Sequence, residues 1–157
     1  VGRPRDPARA HTDLVALTRD VIEVARRDLK SATLRIELST PEQQVSAWID
    51  GDQIRQVIWN LLNNALAHSP DNGVVRVQVW RERGNALWTI EDQGPGVPAE
   101  ARGALFDMFY SKRPHGVGLG LALVDQLVRA HGGEVSVLSP PGQGAKFQVR
   151  LPESPKR

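Results

Sequence analysis

Cysteine is absent from the 157 residues, which excludes disulfides, thiolate metal sites and a cysteine nucleophile. No apolar run approaches the roughly 18 residues that a membrane helix needs. The opening VGRPRDPARA is polar and broken by proline, so it lacks the apolar core of a signal peptide. Neither sign of charge dominates, with 20 Lys and Arg against 18 Asp and Glu, and both ends carry basic residues (Arg3, Arg5, Arg9; Lys156, Arg157). Without a basic stripe interleaved with aromatics, nucleic-acid binding is not expected. Two familiar phosphate loops are also missing: there is no G-x-x-x-x-G-K-[ST], and no G-x-G-x-x-G directly after a strand. What remains is a chain long enough to close one core, expected to be a cytoplasmic domain that makes no membrane contact.

Within residues 105–133 one pattern is hard to explain by folding alone. Gly116, Gly118 and Gly120 alternate with Val117 and Leu119 directly before Leu121, Ala122, Leu123, Val124, Leu127 and Val128, whose spacing is that of a largely buried helix. His131 falls in the last turn of that helix, and Gly132-Gly133 supplies the left-handed residue that closes it. Three glycines ahead of a helix let something approach the backbone closely, and free N–H groups at a helix N-terminus suit phosphate. A plain glycine-rich connector is the simpler alternative.

A second helix is predicted from an Asp50 cap to about His68, with Gln53 as capping-box partner. Ile54, Val57, Ile58, Leu61, Leu62 and Ala65 form its apolar stripe, and Gln56, Asn60 and Asn64 an i, i+4, i+8 ribbon along the edge. Asparagine is a poor interior helix residue, so Asn60, Asn63 and Asn64 on two turns need a reason. Either the face is solvated and amide-rich by chance, or the amide oxygens serve a hard cation such as Mg²⁺, which also binds phosphate. Further on, strand alternation puts Asp92 on the apolar face of Ala86, Trp88 and Ile90. A carboxylate there requires donors, and the exocyclic amine of adenine is a fitting one. Alternatively, Asp92 only starts the turn at Gly94-Pro95-Gly96-Val97-Pro98.

The remaining elements are read from periodicity. Residues 1–12 are expected to be a linker or the tail of an upstream domain, and the chain to begin inside a longer protein. Leu14, Leu17, Val21, Val24 and Ala25 predict a helix from an Asp13 cap to about Leu29. Strands are predicted over 33–38, 45–49, 74–80 and 86–92, the last two joined around Arg83-Gly84-Asn85, and a hairpin over 134–138 and 146–151. A short helix is expected over 99–103, with Phe106 and Phe109 as packing anchors. Residues 110–115 would make a short flap, in which Lys112 and Arg113 could reach a terminal phosphate or simply form a charged surface loop.

Taken together, these motifs resemble the catalytic ATP-binding domain of two-component sensor histidine kinases, within the GHKL (HATPase_c) family that includes gyrase, MutL and heat-shock chaperone ATPases. Residues 60–65 look like the N box, 91–96 like the D-x-G-x-G box, 105–110 like the F box and 116–121 like the second glycine box. Any one is weak, but four in order are specific. The resemblance runs over 13–152, with 153–157 as a C-terminal tail.

The resemblance implies an α/β fold, a two-layer sandwich of the Bergerat ATP-binding type with helices on one face of a mixed sheet. It implies ATP and Mg²⁺ as ligands. Asp92 would hold the adenine amine, Gly94, Gly96 and Val97 would border the ring, and Asn64 with Asn60 would carry the metal. The backbone of Gly116, Val117, Gly118, Leu119, Gly120 and Leu121 would hold phosphates. Hydrolytic relatives carry a water-activating glutamate where this chain has Asn60, so phosphoryl transfer to an outside acceptor is expected instead. The chain departs from the pattern at Ala67 and His68, where a basic and an aromatic residue are frequent, and at Val117 and Ala145, where hydroxyl residues are. Those departures make Lys112, with Asn60, the candidate for catalytic contact with the terminal phosphate, and leave His68 as an altered nucleotide contact. None of His11, His68, His115 and His131 is followed by the acidic residue of an acceptor helix. The implied partners are therefore a dimerisation and histidine phosphotransfer domain of the same protein and a downstream response regulator. This domain would be a monomer alone, and the whole protein a homodimer. Its rivals are a serine kinase of the anti-sigma-factor type and a nucleotide-binding or docking module without transfer activity.

Overall fold

A computed structural model describes residues 4–29, 33–94, 117–138 and 144–155. Its elements in chain order are β1 (Ala10–Asp13), α1 (Leu14–Arg27), β2 (Arg35–Ser39), β3 (Ser46–Ile49), α2 (Gly51–His68), β4 (Val74–Glu82), β5 (Asn85–Glu91), α3 (Val117–Ala130), β6 (Glu134–Val137) and β7 (Lys146–Pro152). The five-stranded sheet runs β2-β4-β5-β7-β6, parallel at β2/β4 and antiparallel elsewhere. This is the expected mixed α/β fold.

The two-layer form follows from the strand register. Val77, Ile90, Phe147 and Val137 stand opposite one another across four strands, as do Val79, Trp88, Val149 and Val135. These rows make one continuous apolar face, and they join the helices in a single core. The alternate row, Gln78, Thr89, Gln148 and Ser136, is polar, and no helix of the described residues packs on that face. Trp88 is 1% exposed, and its indole N–H donates to the Thr18 hydroxyl of α1 at 3.1 Å. Truncating it to alanine would cost about 3–5 kcal/mol.

Several expectations shift in the folded chain. The expected linker reaches residue 12, yet Ala10–Asp13 pairs antiparallel with β3, Ala10 opposite Ile49 and Asp13 opposite Ser46. That pairing depends on a distant partner strand, which local composition does not reveal. Asp13 caps α1 as predicted, accepting from the Val15 amide at 3.0 Å. Val24 leaves the apolar stripe and is 46% exposed. The turn between β4 and β5 is two residues, Arg83 and Gly84, both at positive φ, so Asn85 already belongs to the strand. Asp50 caps α2 through the Asp52 and Gln53 amides, but Gln53 does not reach back as a capping-box partner. Its amide donates to the Arg5 carbonyl instead, because His131 already accepts the Asp50 N–H.

Helix α3 begins at Val117, so Gly118 and Gly120 lie inside its first turn and not in a loop ahead of it. First-turn N–H groups have no acceptor within the helix, so helical geometry there still leaves them directed outward. Its other end closes as predicted. Gly132 takes φ +74, and the Gly132 and Gly133 amides donate back to the Arg129 and Val128 carbonyls. Among the described residues no helix is long and apolar enough to cross a membrane.

Candidate functional site

The amide ribbon of α2 runs from water into the protein. Gln56 is exposed, Asn60 half-buried and Asn64 buried at 9%. Asn60, Asn63, Asn64 and Ala67 face Gly120 and Leu121 of α3 across a cavity of about 260 Å³. The Asn64 Oδ1 is buried without a hydrogen-bond partner among the described residues. An unpaired buried acceptor costs about 1–3 kcal/mol, which a purely structural asparagine would not ordinarily carry. An amide oxygen without a partner, on a residue that borders a cavity, fits a hard cation that prefers oxygen ligands. Because the amides are neutral, such a cation would need its charge balanced by an anionic ligand beside it. A Cβ on Gly120 would meet nothing within 4 Å, so packing does not demand a glycine there. Its bareness keeps the α3 backbone open to the cavity.

At the end of β5, Asp92 is 3% exposed. Its Oδ1 accepts from the Gly94 amide at 2.9 Å and the Ala145 amide at 3.2 Å, while no donor from the described residues reaches its second oxygen. Burial pushes its pKa above the usual carboxylate value. The two amides and nearby His68 pull it back, and Glu91 adds to the rise. The Asp92 N–H donates to the Ala145 carbonyl at 2.9 Å, and a Cβ on Gly144 would come within 1.9 Å of the Asp92 carbonyl. The carboxylate is therefore clamped by the chain entering β7.

Gly94 also has a packing role. A Cβ there would lie 2.2 Å from the His68 carbonyl, so its bareness admits the last turn of α2. His68 in turn donates from Nδ1 to the Asn64 carbonyl at 2.7 Å. The Gln93 side chain secures the same corner by accepting from the Val74 amide at 2.9 Å. Through these contacts the fold brings Asp92, His68 and the amide ribbon to one end of α2. Gly96, Lys112 and Gly116 lie outside the described residues, together with Val97, the helix expected over 99–103, the F box and the flap. Val117, Gly118 and Leu119 are placed by their backbone in the first turn of α3, and Gly120 and Leu121 border the cavity.

Three contributors escaped the sequence reading. Ala145 figured only as a departure in side chain, whereas it is the backbone of this residue that holds Asp92. Gln93 figured only as a variable position of the 91–96 motif. Of the polar network at the opposite end of α2, only the Asp50 cap had a local signal; its link to Arg5, Ala8 and His131 had none. There Asp50, 3% exposed, accepts from the Ala8 amide at 2.9 Å and pairs with the Arg5 guanidinium, in addition to its two cap amides. Burial acts to raise its pKa, but Arg5 and the amides of Ala8 and Gln53 outweigh burial and hold the carboxyl well below its ordinary range. Its N–H donates to His131 Nε2 at 3.1 Å, and His131 Nδ1 donates to the Leu127 carbonyl at 2.7 Å. Burial, the largest cause, lowers that imidazole's pKa, and Arg9 adds to the drop.

With this geometry in hand, comparison with known proteins is informative. The family model described as histidine kinase-, DNA gyrase B-, and HSP90-like ATPase matches residues 49–155. The alginate biosynthesis sensor protein KinB of Pseudomonas aeruginosa is 35% identical over 147 residues, which are 91% of this chain and 24% of KinB. The chain thus spans about a quarter of the length of that relative. The solved structure of the mycobacterial sensor histidine kinase MprB is 31% identical, with a TM-score of 0.78 over 92% of this chain and 97% of that one. Full-length ShkA, solved in complex with AMPPNP, is 30% identical, with a TM-score of 0.81 over 92% of this chain and 31% of its own.

Proposed function

The chain belongs to the family of histidine kinase-, DNA gyrase B- and HSP90-like ATPases, and we propose that it is the domain of a sensor histidine kinase that binds ATP with Mg²⁺ and transfers the γ-phosphoryl group. The acceptor is a histidine on a separate dimerisation domain, joined through the residues ahead of β1, and a response regulator receives the group afterwards. The observation that carries this reading is Asn64, which borders the cavity between α2 and α3 and whose buried Oδ1 has no partner among the described residues, one turn of helix from His68 and its contact with the Asp92 corner. ShkA, of the same family, was solved with an ATP analogue.

In this reading the second oxygen of Asp92, which no donor from the described residues reaches, accepts the adenine amine, and Gly94 stands beside the ring. Asn64, with Asn60, provides the protein oxygens for the cation. The first-turn amides of α3, residues 117–121, face the phosphates, with Gly116 and Lys112 completing the contacts and Gly96, Val97 and His68 bordering the base and ribose. When bound, Mg²⁺ neutralises charge on the phosphates. Asn60 is a neutral amide and cannot deprotonate water, so hydrolysis is slow and an external imidazole takes the phosphoryl group. The bond from phosphorus to the bridging oxygen breaks, a phosphorus–nitrogen bond forms, and ADP leaves.

The test is titration calorimetry with Mg²⁺ and ATP on the wild-type chain and on Asn64→Ala. Binding is expected for the wild type, with at least a tenfold loss and a loss of Mg²⁺ dependence in the variant. Labelled ATP should label an added acceptor domain and release little free phosphate without it. No heat of binding, or steady phosphate release by the chain alone, would overturn the reading.

A further inference from the structure

Helices α2 and α3 lie antiparallel, so their two ends differ in kind. At one end the amide ribbon and Gly120 border the cavity. At the other, the N-cap of α2 is pinned to the end of α3, because the Asp50 N–H donates to His131, the residue that follows Ala130. Asn64 lies fourteen residues along α2 from Asp50, about 20 Å at helical rise.

The segment over residues 4–9 crosses the pinned end and touches both helices. Arg5 pairs with Asp50, its carbonyl accepts from the Gln53 amide at 2.8 Å, the Ala8 N–H donates to Asp50 at 2.9 Å, and Arg9 donates to the Ala130 carbonyl at 2.7 Å. No residue of this segment is buried, and beneath it lies a cavity of about 280 Å³ bordered by Pro4, Arg5, Gln53, Gln56, Leu123 and Leu127. It is held mainly by four polar bonds, two of them to the buried Asp50 carboxylate, with Pro4 bordering Leu123 and Leu127, so its attachment rests on few contacts. Segments with few buried contacts open at low free energy, and detachment removes two of the four donors that satisfy Asp50.

We propose that Arg5, Asp50 and His131 are positioning residues for the nucleotide cavity: residues 4–9 form a detachable strap that, seated on Asp50, fixes α3 against α2. Displacing the strap strips the Asp50 carboxylate of two of its four donors, which loosens the residue whose backbone N–H bonds His131 and lets the first turn of α3 move away from Asn60 and Asn64. Nucleotide affinity is thereby coupled to the position of the chain ahead of β1. This rests on the proposed function for its ligand, but the strap itself is read out independently of any ligand.

The experiment measures Mg²⁺·ADP affinity by calorimetry and amide exchange over residues 120–124 in the 157-residue chain. Arg5→Gln is expected to raise Kd three- to tenfold and to speed exchange over 120–124. Arg5→Lys should return both to within twofold of wild type. Thr18→Val, which removes the Trp88 hydrogen bond, lowers the Tm and serves as the control; it should leave both readouts unchanged. Faster exchange confined to the first turn of α2, with Kd unaltered, would overturn the strap, as would an equal response to Thr18→Val. A wild-type chain that binds no nucleotide would sink the proposed function, and exchange over 120–124 in Arg5→Gln would still decide the strap.

Discussion

Two carboxylates at opposite ends of α2 have the same exposure, 3%, and opposite electrostatics. Asp50 receives donors on both oxygens, including a guanidinium, and its pKa is held low. Asp92 receives two amides on one oxygen, and its pKa is raised, with burial the largest cause. Burial alone therefore says little about what an acidic residue is for. A carboxylate whose valences are filled by its own chain contributes to stability, and one left half-satisfied costs stability and is available to a ligand.

The comparison breaks most visibly at Asp92. Asp92→Asn should keep the acceptor for the Gly94 and Ala145 amides yet present an N–H where the adenine amine needs an acceptor. Nucleotide affinity should fall by on the order of 100-fold, about 3 kcal/mol, while the Tm holds or rises. A large drop in Tm at unchanged affinity would make Asp92 structural, like Asp50. Next comes Gly94→Ala, which drives a methyl into the His68 carbonyl. It should cost about 2 kcal/mol in urea unfolding and weaken nucleotide binding with it, since it forces Asp92 and Asn64 apart. Asp50→Asn retains the cap but loses the charge that strengthens its amide bonds, so about 1 kcal/mol of stability is expected to go.

The smallest effect sharpens the contrast by its sign. Asp50, with a folded pKa below the ordinary value near 3.9, contributes stability that is present above that value and fades as pH falls towards the folded one. Asp92, with a folded pKa above the ordinary value, costs stability while ionised, and that cost disappears on acidification. The stability gap between wild type and Asp50→Asn should therefore shrink as pH drops through the carboxylate range. Asp92→Asn should be the more stable protein at neutral pH and lose that advantage over the same range. Denaturation series at several pH values would reveal it, and gaps of the same sign for both variants would contradict the assignment.

Much of this was legible before folding was considered. Asp13 and Asp50 announced their helices because a cap needs only its next three residues, and the α2 stripe from Ile54 to Ala65 is buried as its spacing implied. Gly132 declared the end of α3 for an equally local reason, since few other residues take a positive φ cheaply. The amide ribbon was visible as residue types poorly suited to a helix interior. Less legible were the starts of things: β1 looked like linker, and the first turn of α3 looked like loop.

Sequence alone determined which residues could serve nucleotide chemistry, because oxygen donors and glycines at helical or strand spacing are properties of a short stretch of chain. Tertiary structure decided which of them were left incomplete. Whether Asn64 keeps an unpaired oxygen, whether Asp92 keeps one oxygen open, and whether Asp50 finds Arg5 and His131 all depend on donors delivered by distant segments. Hydrogen-bond satisfaction belongs to packed neighbours, and only the closed fold determines who those neighbours are.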